Sequence, residues 1–315
     1  MIGVCIVTYN QEKYIAQALE SVLEQKPCGQ TVRLFIGEDC STDSTAAICD
    51  QYAHRYPDCI SVTHNKTNLG LVNNTLDLLG RIQSEGCDFV AMLDGDDYWS
   101  DPYKLQKQLA CFEMHPDCGL VHTATDILYP QGLWKDKRTS PHFKSVFNTI
   151  ENYTIRNCSV MFRTSLLDMI DFDEFRKQGF YSLDYVMYAC FSSKVPFAFL
   201  PDHTAVWRRG HESVSNSADM NRQIDYLQND FAMWRYLANR FPSRWKYDDS
   251  SRENYFHTRC FHIAFKYGDR KRALIEAKQI TRITKKLRMK ILVAHSRLLF
   301  FMWRNVRVLK QGFSK

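Results

Sequence analysis

The chain lacks a C-x-x-C pair, a membrane-length apolar run and the common glycine-rich phosphate loops, and each absence removes a class of function. Its 11 cysteines are scattered through 315 residues. Cys5, Cys87, Cys111 and Cys190 sit inside apolar runs, where a thiol packs as a small hydrophobe. Without paired spacing no zinc site is expected, and the odd count suits reduced thiols in a cytosol. No uninterrupted apolar stretch is long enough to span a bilayer. The apolar run at Ile2 to Val7 has no basic segment before it and no cleavage site after it. It is therefore expected to be a buried strand and not a signal peptide, consistent with a cytoplasmic protein. There is no G-x-G-x-x-G, no G-x-x-x-x-G-K and no G-x-S-x-G. Internal repeats and low-complexity tracts are absent as well.

What is present is ordinary globular composition. Hydrophobic residues make up 45% and charged residues 24%, enough to bury a large core and too apolar for a disordered chain. The net charge of +6 hides an asymmetry. From Arg270 to Lys315 there are 14 Lys and Arg against one acid, Glu276, which leaves 27 basic and 34 acidic residues before it. A basic tail on an acidic body implies an anionic partner for the tail.

Short apolar runs alternate with helical patterns along the first half. Ile2 to Thr8 is nearly continuous apolar, as a strand covered on both faces should be. A helix follows over Glu12 to Gln25, then a strand at Val32 to Gly37 and helix-capping hydroxyls at Ser41 to Thr45. A third strand at Ile60 to Thr63 precedes a helix over Val72 to Ser84. A fourth, Phe89 to Leu93, runs into an acidic segment. Asp101-Pro102 starts another helix through Met114, and Leu120 to Thr123 is a further strand. The turn-rich stretch Leu128 to Thr149 reads as a loop or lid. Cys158 to Arg163 has the pattern of a strand and Asp184 to Phe191 that of a helix, with helices prevailing beyond Ser217. Strands alternating with helices predict a mainly parallel α/β sheet, in which ligands bind beyond the carboxyl ends of the strands.

Three polar motifs lie at such ends: Thr8-Tyr9-Asn10, Glu38-Asp39-Cys40-Ser41 and Asp94-Gly95-Asp96-Asp97. Three carboxylates within four residues repel one another unless a cation offsets them. Carboxylate oxygens suit Mg²⁺ or Mn²⁺, which bind one or two side chains plus substrate phosphates. The regular spacing and terminal Glu of a calcium loop are missing. An acid ending the second strand, Glu38 or Asp39, can accept from ribose hydroxyls or a base N–H; equally, it can cap the helix near Ser44.

The segments V-C-I-V-T-Y-N, E-D-C-S-T-D-S-T and L-D-G-D-D-Y-W, in that order, resemble glycosyltransferase family 2 over Met1 to about Ser215. The resemblance implies a GT-A fold, a nucleotide-sugar donor and inversion at the anomeric carbon. It implies a catalytic domain over 1–216 and leaves 217–315 as a helical, basic C-terminal region. By position, Thr8 and Tyr9 would line the nucleotide pocket, Asp39 would bind the base with Glu38 close by, and Asn68 and Asn73 would contact the nucleotide or donor sugar. Asp94-Gly95-Asp96 matches the D-x-D motif, with Asp94 at the substrate, Asp96 as metal ligand and Asp97 as a second candidate. Inverting transfer needs a base to deprotonate the acceptor hydroxyl. The family places an acid at a helix start, which is Asp184 here; Asp171 and Asp173 have the spacing of an exposed turn. Trp207-Arg208-Arg209-Gly210-His211 resembles an element whose Arg and His approach the diphosphate, so Arg208 and Arg209 compete for phosphate and His211 is a metal candidate. Asn157 to Met161 resembles the acceptor-facing strand, with Cys158 a packed thiol.

In the tail, apolar Ile291 to Val293 and Leu298 to Trp303 alternate with Arg288, Lys290, Arg297, Arg304 and Arg307. Such basic amphipathic helices can lie at the cytoplasmic face of a membrane, with Trp303 near the headgroups. Nucleic acid is not expected, because no binding module accompanies the basic run. The reading is a metal-dependent UDP-sugar transferase acting on a glycan or lipid-linked glycan in cell-surface polysaccharide synthesis. Its rivals are a nucleotidyltransferase, which normally has a glycine-rich N-terminal loop, and a non-catalytic sugar- or lipid-binding protein.

Overall fold

The structure, a computed structural model, describes residues 1–136, 155–210, 217–242 and 249–312, the side chains of residues 304 and 306–312 excepted. It divides into two compact units, Met1–His211 and Glu212–Lys315. The expected boundary at residue 216 falls at the edge of a stretch, 211–216, outside the described residues.

The first unit is built on one sheet. Strands β1 (Ile2–Thr8), β2 (Val32–Glu38), β3 (Ile60–His64) and β4 (Phe89–Asp94) are parallel, in the order β3-β2-β1-β4. Helices α1 (Ile15–Leu23), α2 (Thr45–Arg55) and α3 (Gly70–Ser84) connect them. β1 is buried along its whole length because both faces are covered. Ile2, Val4 and Ile6 pack in one apolar cluster with Ile15 and Leu19 of α1 and Leu105 and Phe112 of α4 (Lys104–Met114). On the other face α3 comes so close that a Cβ on Gly37 would lie 2.4 Å from Asn74 Oδ1. Glycine is what permits that approach.

Beyond β4 the sheet is mixed. β8 (Met161–Arg163) runs antiparallel to both β4 and β6 (Leu120–Tyr129). β9 (Phe197–Arg208) lies parallel to β6 and antiparallel to the short β5 (Tyr98–Trp99). Neither β5 nor β9 is apparent in the hydrophobic pattern. Pro201 interrupts β9, and its register against β6 shifts between Thr123 and Thr125. The expected loop from Leu128 is a hairpin over its first part, with β7 (Gly132–Lys135) paired to β6. Pro130 and Gly132 belong to its turn, and residues 137–154 lie outside the described residues. The expected strand from Cys158 is strand only from Met161, because Asn157–Ser159 is a 3₁₀ turn. Helices α5 (Phe172–Gln178) and α6 (Leu183–Ser192) complete this unit among the described residues.

The second unit is helical: α7 (Met220–Arg240), α8 (Asp249–Tyr267), α9 (Arg270–Ala277), α10 (Lys285–His295) and α11 (Arg297–Gly312). Phe261, Phe265, Ala273, Leu287, Ala294 and Phe300 form its core. Trp303 belongs to this core rather than to an outward face, its ring centroid 4.1 Å from that of Phe265.

Candidate active site

Parallel register brings the three polar motifs to one edge. Thr8 is paired with Glu38, and Val7 with Asp94. The chain leaves β1 and β2 through Asn10 (φ 53) and Cys40 (φ 61), both in the left-handed region. Asparagine tolerates that region, but Cys40 is strained by about 1 kcal/mol or more. The two loops hold each other: Thr42 N donates to Asn10 Oδ1 (2.8 Å), Asn10 N to Ser41 Oγ (3.0 Å) and Gln11 N to Thr45 Oγ1 (2.8 Å).

Glu38 and Asp39 are both 2% exposed. Glu38 accepts from Ser41 N at 2.7 Å and meets His64 Nδ1 at 3.4 Å, so it shapes the loop. The Asp39 carboxylate accepts from Asn65 Nδ2 (2.9 Å), Leu69 N (2.8 Å) and Gly70 N (2.9 Å). It therefore ties β2 to the start of α3, not to the helix after Ser44. Asn68 Oδ1 also accepts from Gly70 N (3.0 Å), and Asn73 Nδ2 donates to Leu69 O (3.0 Å). Tyr9 stands 43% exposed beside this edge, while Thr8 is buried and donates to Gln11 Oε1 at 2.8 Å.

The four-residue acidic segment divides by environment. Asp94 and Asp96 are partly exposed, whereas Asp97 is 2% exposed. Asp97 Oδ1 accepts from Arg208 N at 2.8 Å, which anchors the end of β9. Burial, then the charges of Asp96 and Asp94, push the Asp97 carboxyl well above the usual range. Asp94 is raised to about 7, by burial first and then by Asp96 and Asp184; a hydrogen bond from Asn157 Nδ2 (3.0 Å) opposes this. Two partly exposed carboxylates, near enough for the charge of Asp96 to raise Asp94, are a donor set that a hard divalent cation would relieve. Among the described residues no three His, Cys, Asp or Glu side chains converge on one point, so such a cation would complete its shell with phosphate or water oxygens.

Asp184 lies in the first turn of α6, and its charge reaches Asp94 and Tyr188. One helical turn later, fully buried Tyr188 donates its hydroxyl to Asn157 Oδ1 at 2.8 Å. The chain Tyr188–Asn157–Asp94 thus pins the middle of α6 to the acidic segment. Positions i and i+4 share a helix face, so Asp184 and Tyr188 address the same site. Sequence reasoning missed the roles of Asn157 and Tyr188, and nothing in spacing links residues 63 and 31 apart. Asp171 caps α5, accepting from Glu174 N at 2.9 Å, and Asp173 lies in the first turn of that helix, so both acids are exposed as expected but belong to a helix start and not to a turn.

The two arginines separate as well. Arg208 Nε donates to Asp96 O and Nη2 to Gln17 Oε1, both at 2.7 Å, with its guanidinium 4.7 Å from the Tyr14 ring centroid. It braces the acidic turn. Arg209 is exposed and lies 4.5 Å from the Trp207 ring centroid. His211 lies outside the described residues. Cys158 is fully buried, and burial raises its thiol far from nucleophilic use.

Residues 3–177, more than half the chain, match the sequence model for Glycosyl transferase family 2. The chain belongs to that family. An uncharacterised protein of Mycobacterium tuberculosis, Rv1520, is 30% identical over 221 residues, 69% of this chain and 61% of that protein. The chain thus spans under two thirds of that relative's length. The poly(ribitol-phosphate) beta-N-acetylglucosaminyltransferase TarS of Staphylococcus aureus is 30% identical over 169 residues, 52% of this chain and 28% of TarS. The crystal structure of its residues 1–349 with UDP-GlcNAc superposes with a TM-score of 0.56 at 18% identity, covering 96% and 91% of the two chains. The mannosyltransferase PcManGT of Pyrobaculum calidifontis, solved with GDP-Man and Mn²⁺, gives 0.55 at 14% identity, covering 96% and 86%. These likenesses establish the GT-A-like α/β fold of a family 2 chain.

Proposed function

We propose that the chain is an inverting glycosyltransferase, moving a sugar from a nucleotide-sugar to a hydroxyl of a glycan or lipid-linked glycan in cell-surface polysaccharide synthesis. One observation carries this reading. Asn157 bonds both Asp94 and Tyr188, which lies one turn after Asp184 on the same helix, so Asp184 and the acidic segment, about ninety residues apart in sequence, meet at the carboxyl edge of the sheet. A donor-holding group and a proton acceptor side by side are what single displacement needs.

In this reading the exposed ring of Tyr9 offers a face to the base, and Asp39 orders the α3 turn, with Asn68 and Asn73, against which the nucleotide lies. Asp96, with Asp94 beside it, holds Mn²⁺ or Mg²⁺, which when bound offsets the charge of the departing diphosphate. Asp97 and Arg208 keep that turn in place, and exposed Arg209 supplies a guanidinium for phosphate. Asp184 takes the proton of the acceptor hydroxyl as the hydroxyl attacks the anomeric carbon. A UDP-sugar is the first donor to try, since TarS was solved with UDP-GlcNAc; its name as a poly(ribitol-phosphate) transferase supports a wall-polymer acceptor.

A membrane-surface location completes the reading. No helix among the described residues is long and apolar enough to cross a membrane. Leu298, Leu299, Phe301 and Met302 of α11 are 47–69% exposed beside a basic sequence, a composition suited to an interface. With Trp303 packed inward, Phe301 takes its place as the aromatic at that surface.

Incubation with UDP-sugars, acceptor and Mn²⁺ tests the chemistry. Transfer should release UDP; pyrophosphate would indicate nucleotidyl transfer, and no product would indicate a binding protein. Asp96→Asn and Asp184→Asn should each lower turnover at least about a hundredfold, but only Asp96→Asn should also weaken metal-dependent UDP binding. Full activity in Asp184→Asn would remove the base assignment.

A further inference from the structure

The turn that follows β2 rests on a side chain that the nucleotide-sugar reading leaves unused. His64 is the last residue of β3 and the register partner of Glu38, the last residue of β2. Its ring stands between two acids. Nε2 lies 2.8 Å from Asp50 Oδ1 on α2, and Nδ1 lies 3.4 Å from Glu38 Oε2. A neutral imidazole carries one N–H and one lone pair, so it satisfies one carboxylate and turns its lone pair on the other. Only the imidazolium donates to both. The charged groups that act on the ring are Asp50 from α2 and Glu38 from β2. Arg81 of α3 bonds the hydroxyls of Ser61 and Thr63 instead, which alternate to the other face of β3. Burial opposes a charge on the ring, but Asp50 and then Glu38 outweigh it, and the imidazole pKa lies above its ordinary value. The neighbouring Cys49 thiol is pushed up to about 12 by burial, then by Glu38 and Asp50, so it stays neutral while the ring titrates.

Glu38 is the acid that needs this partner. Its side chain is 3% exposed, against 61% for Asp50, and a carboxylate buried so deeply is costly unless it is bonded and paired. Its other partner is Ser41 N, which closes the turn that holds Cys40 at φ 61. Ser41 Oγ accepts from Asn10 N, next to Tyr9. Asn65, next to His64, donates its backbone N–H to Glu38 O (2.9 Å) and its side chain to Asp39. The carboxylate that His64 braces is thus linked to Asn10 on one side and Asp39 on the other.

We propose that His64 is a positioning residue for the nucleotide: clasped as an imidazolium between Asp50 and Glu38, it holds the 38–41 turn in its binding shape, and loss of its proton weakens nucleotide affinity. The proposal rests on reading this edge of the sheet as the nucleotide site. Its sign is set by linkage. The folded state favours the charged ring, so the contribution is complete below the pKa of the unfolded chain and is lost as pH rises through the higher folded value.

The test compares the full chain with His64→Gln, which keeps a hydrogen-bond donor but not the charge, and with Asp50→Asn. Hydrogen exchange of the amides of residues 39–45 reads the turn without any ligand. It is taken as the protection ratio of parent to variant at each pH, so that the intrinsic exchange chemistry cancels. Calorimetry with UDP and Mn²⁺ reads affinity in the same proteins; Asp94, raised to about 7, titrates in all of them and cancels from the ratio. At about pH 6 the parent turn should be about threefold better protected than that of His64→Gln and bind UDP about threefold more tightly, with both ratios falling to about one near pH 9. In Asp50→Asn protection and affinity should decline at lower pH than in the parent, because the ring has lost its stronger partner. A protection ratio that does not change with pH, or a decline that Asp50→Asn leaves in place, overturns the proposal whatever UDP does. A pH-dependent protection ratio with a flat UDP ratio overturns the link to nucleotide affinity. If the turn responds as expected but the parent binds UDP at no pH, the clasp is supported and the nucleotide reading of this edge is what fails. Should His64→Gln fail to fold, the displacement of the decline in Asp50→Asn decides alone.

Discussion

Lys104, the first residue of α4 and set against the Trp99 ring, is a buried charge whose effect on stability can be measured without an activity assay. It is fully buried, with Nζ donating to Gln108 Oε1 at 2.6 Å and 4.4 Å from the Trp99 ring centroid. Burial lowers its pKa from 10.5 to about 7, against smaller opposing effects of Cys158 and Asp101. A displacement of that size corresponds to roughly 5 kcal/mol. Below pH 7 the side chain is charged in both folded and unfolded chains, and the folded state bears the whole cost. Between pH 7 and 10.5 the unfolded chain binds the extra proton, so this group makes stability rise with pH. Lys104→Met removes the buried charge at similar volume but leaves Gln108 Oε1 without its donor, a loss of about 1–3 kcal/mol. The variant should therefore be more stable than the parent by about 2–4 kcal/mol at pH 6 and less stable by about 1–3 kcal/mol near pH 10.5. Denaturant unfolding of both proteins across this range measures the difference. The buried thiols of Cys5 and Cys49, raised by burial, contribute stability that is lost as pH rises, and they cancel in that difference. A difference that does not vary with pH, or a less stable variant at pH 6, would refute the reasoning. Turnover should be kept, because Gln108 Nε2 still donates to Val121 O and Ser159 O and holds the turn that carries Asn157.

Two further substitutions test how the site is held. Tyr188→Phe removes the donor to Asn157 Oδ1; stability should fall by about 1–2 kcal/mol and kcat by about tenfold, with donor KM within about twofold. Steady-state kinetics giving the reverse split would place Tyr188 in donor binding instead. Gly95→Ala would put a Cβ 2.4 Å from Gln11 Oε1 and 3.0 Å from Thr8 Cβ, so it should cost about 1–3 kcal/mol in melting experiments and weaken UDP binding. An alanine variant with wild-type melting and affinity would mean that Gln11 swings aside and the acidic turn does not move.

Much of the parallel half of the sheet was legible because two-sided burial writes itself as continuous apolar strands with helical patterns between them. The strands β1 to β4 and the helix α4 fall within a few residues of the expected ranges. The second half was less so. β9 carries Pro201 and an irregular register, and β5 is two residues inside a motif dominated by its charges. Their pairings are long-range, and neither leaves a local period to read. The same holds for Asn157, whose partners Asp94 and Tyr188 are distant in sequence.

By itself the sequence determined which residues stand at the edge, since parallel strands all end on one side and each motif follows a strand. It also determined the family, through the order of those motifs. Only the tertiary structure separated residues of the same type. Asp96 stays partly open while Asp97 is closed in under β9, and Arg208 is a brace while Arg209 is exposed. It likewise turned Trp303 into the helical core. Side-chain chemistry is a property of residue type, but whether an oxygen or a guanidinium can reach a ligand depends on which neighbours have already taken its hydrogen bonds.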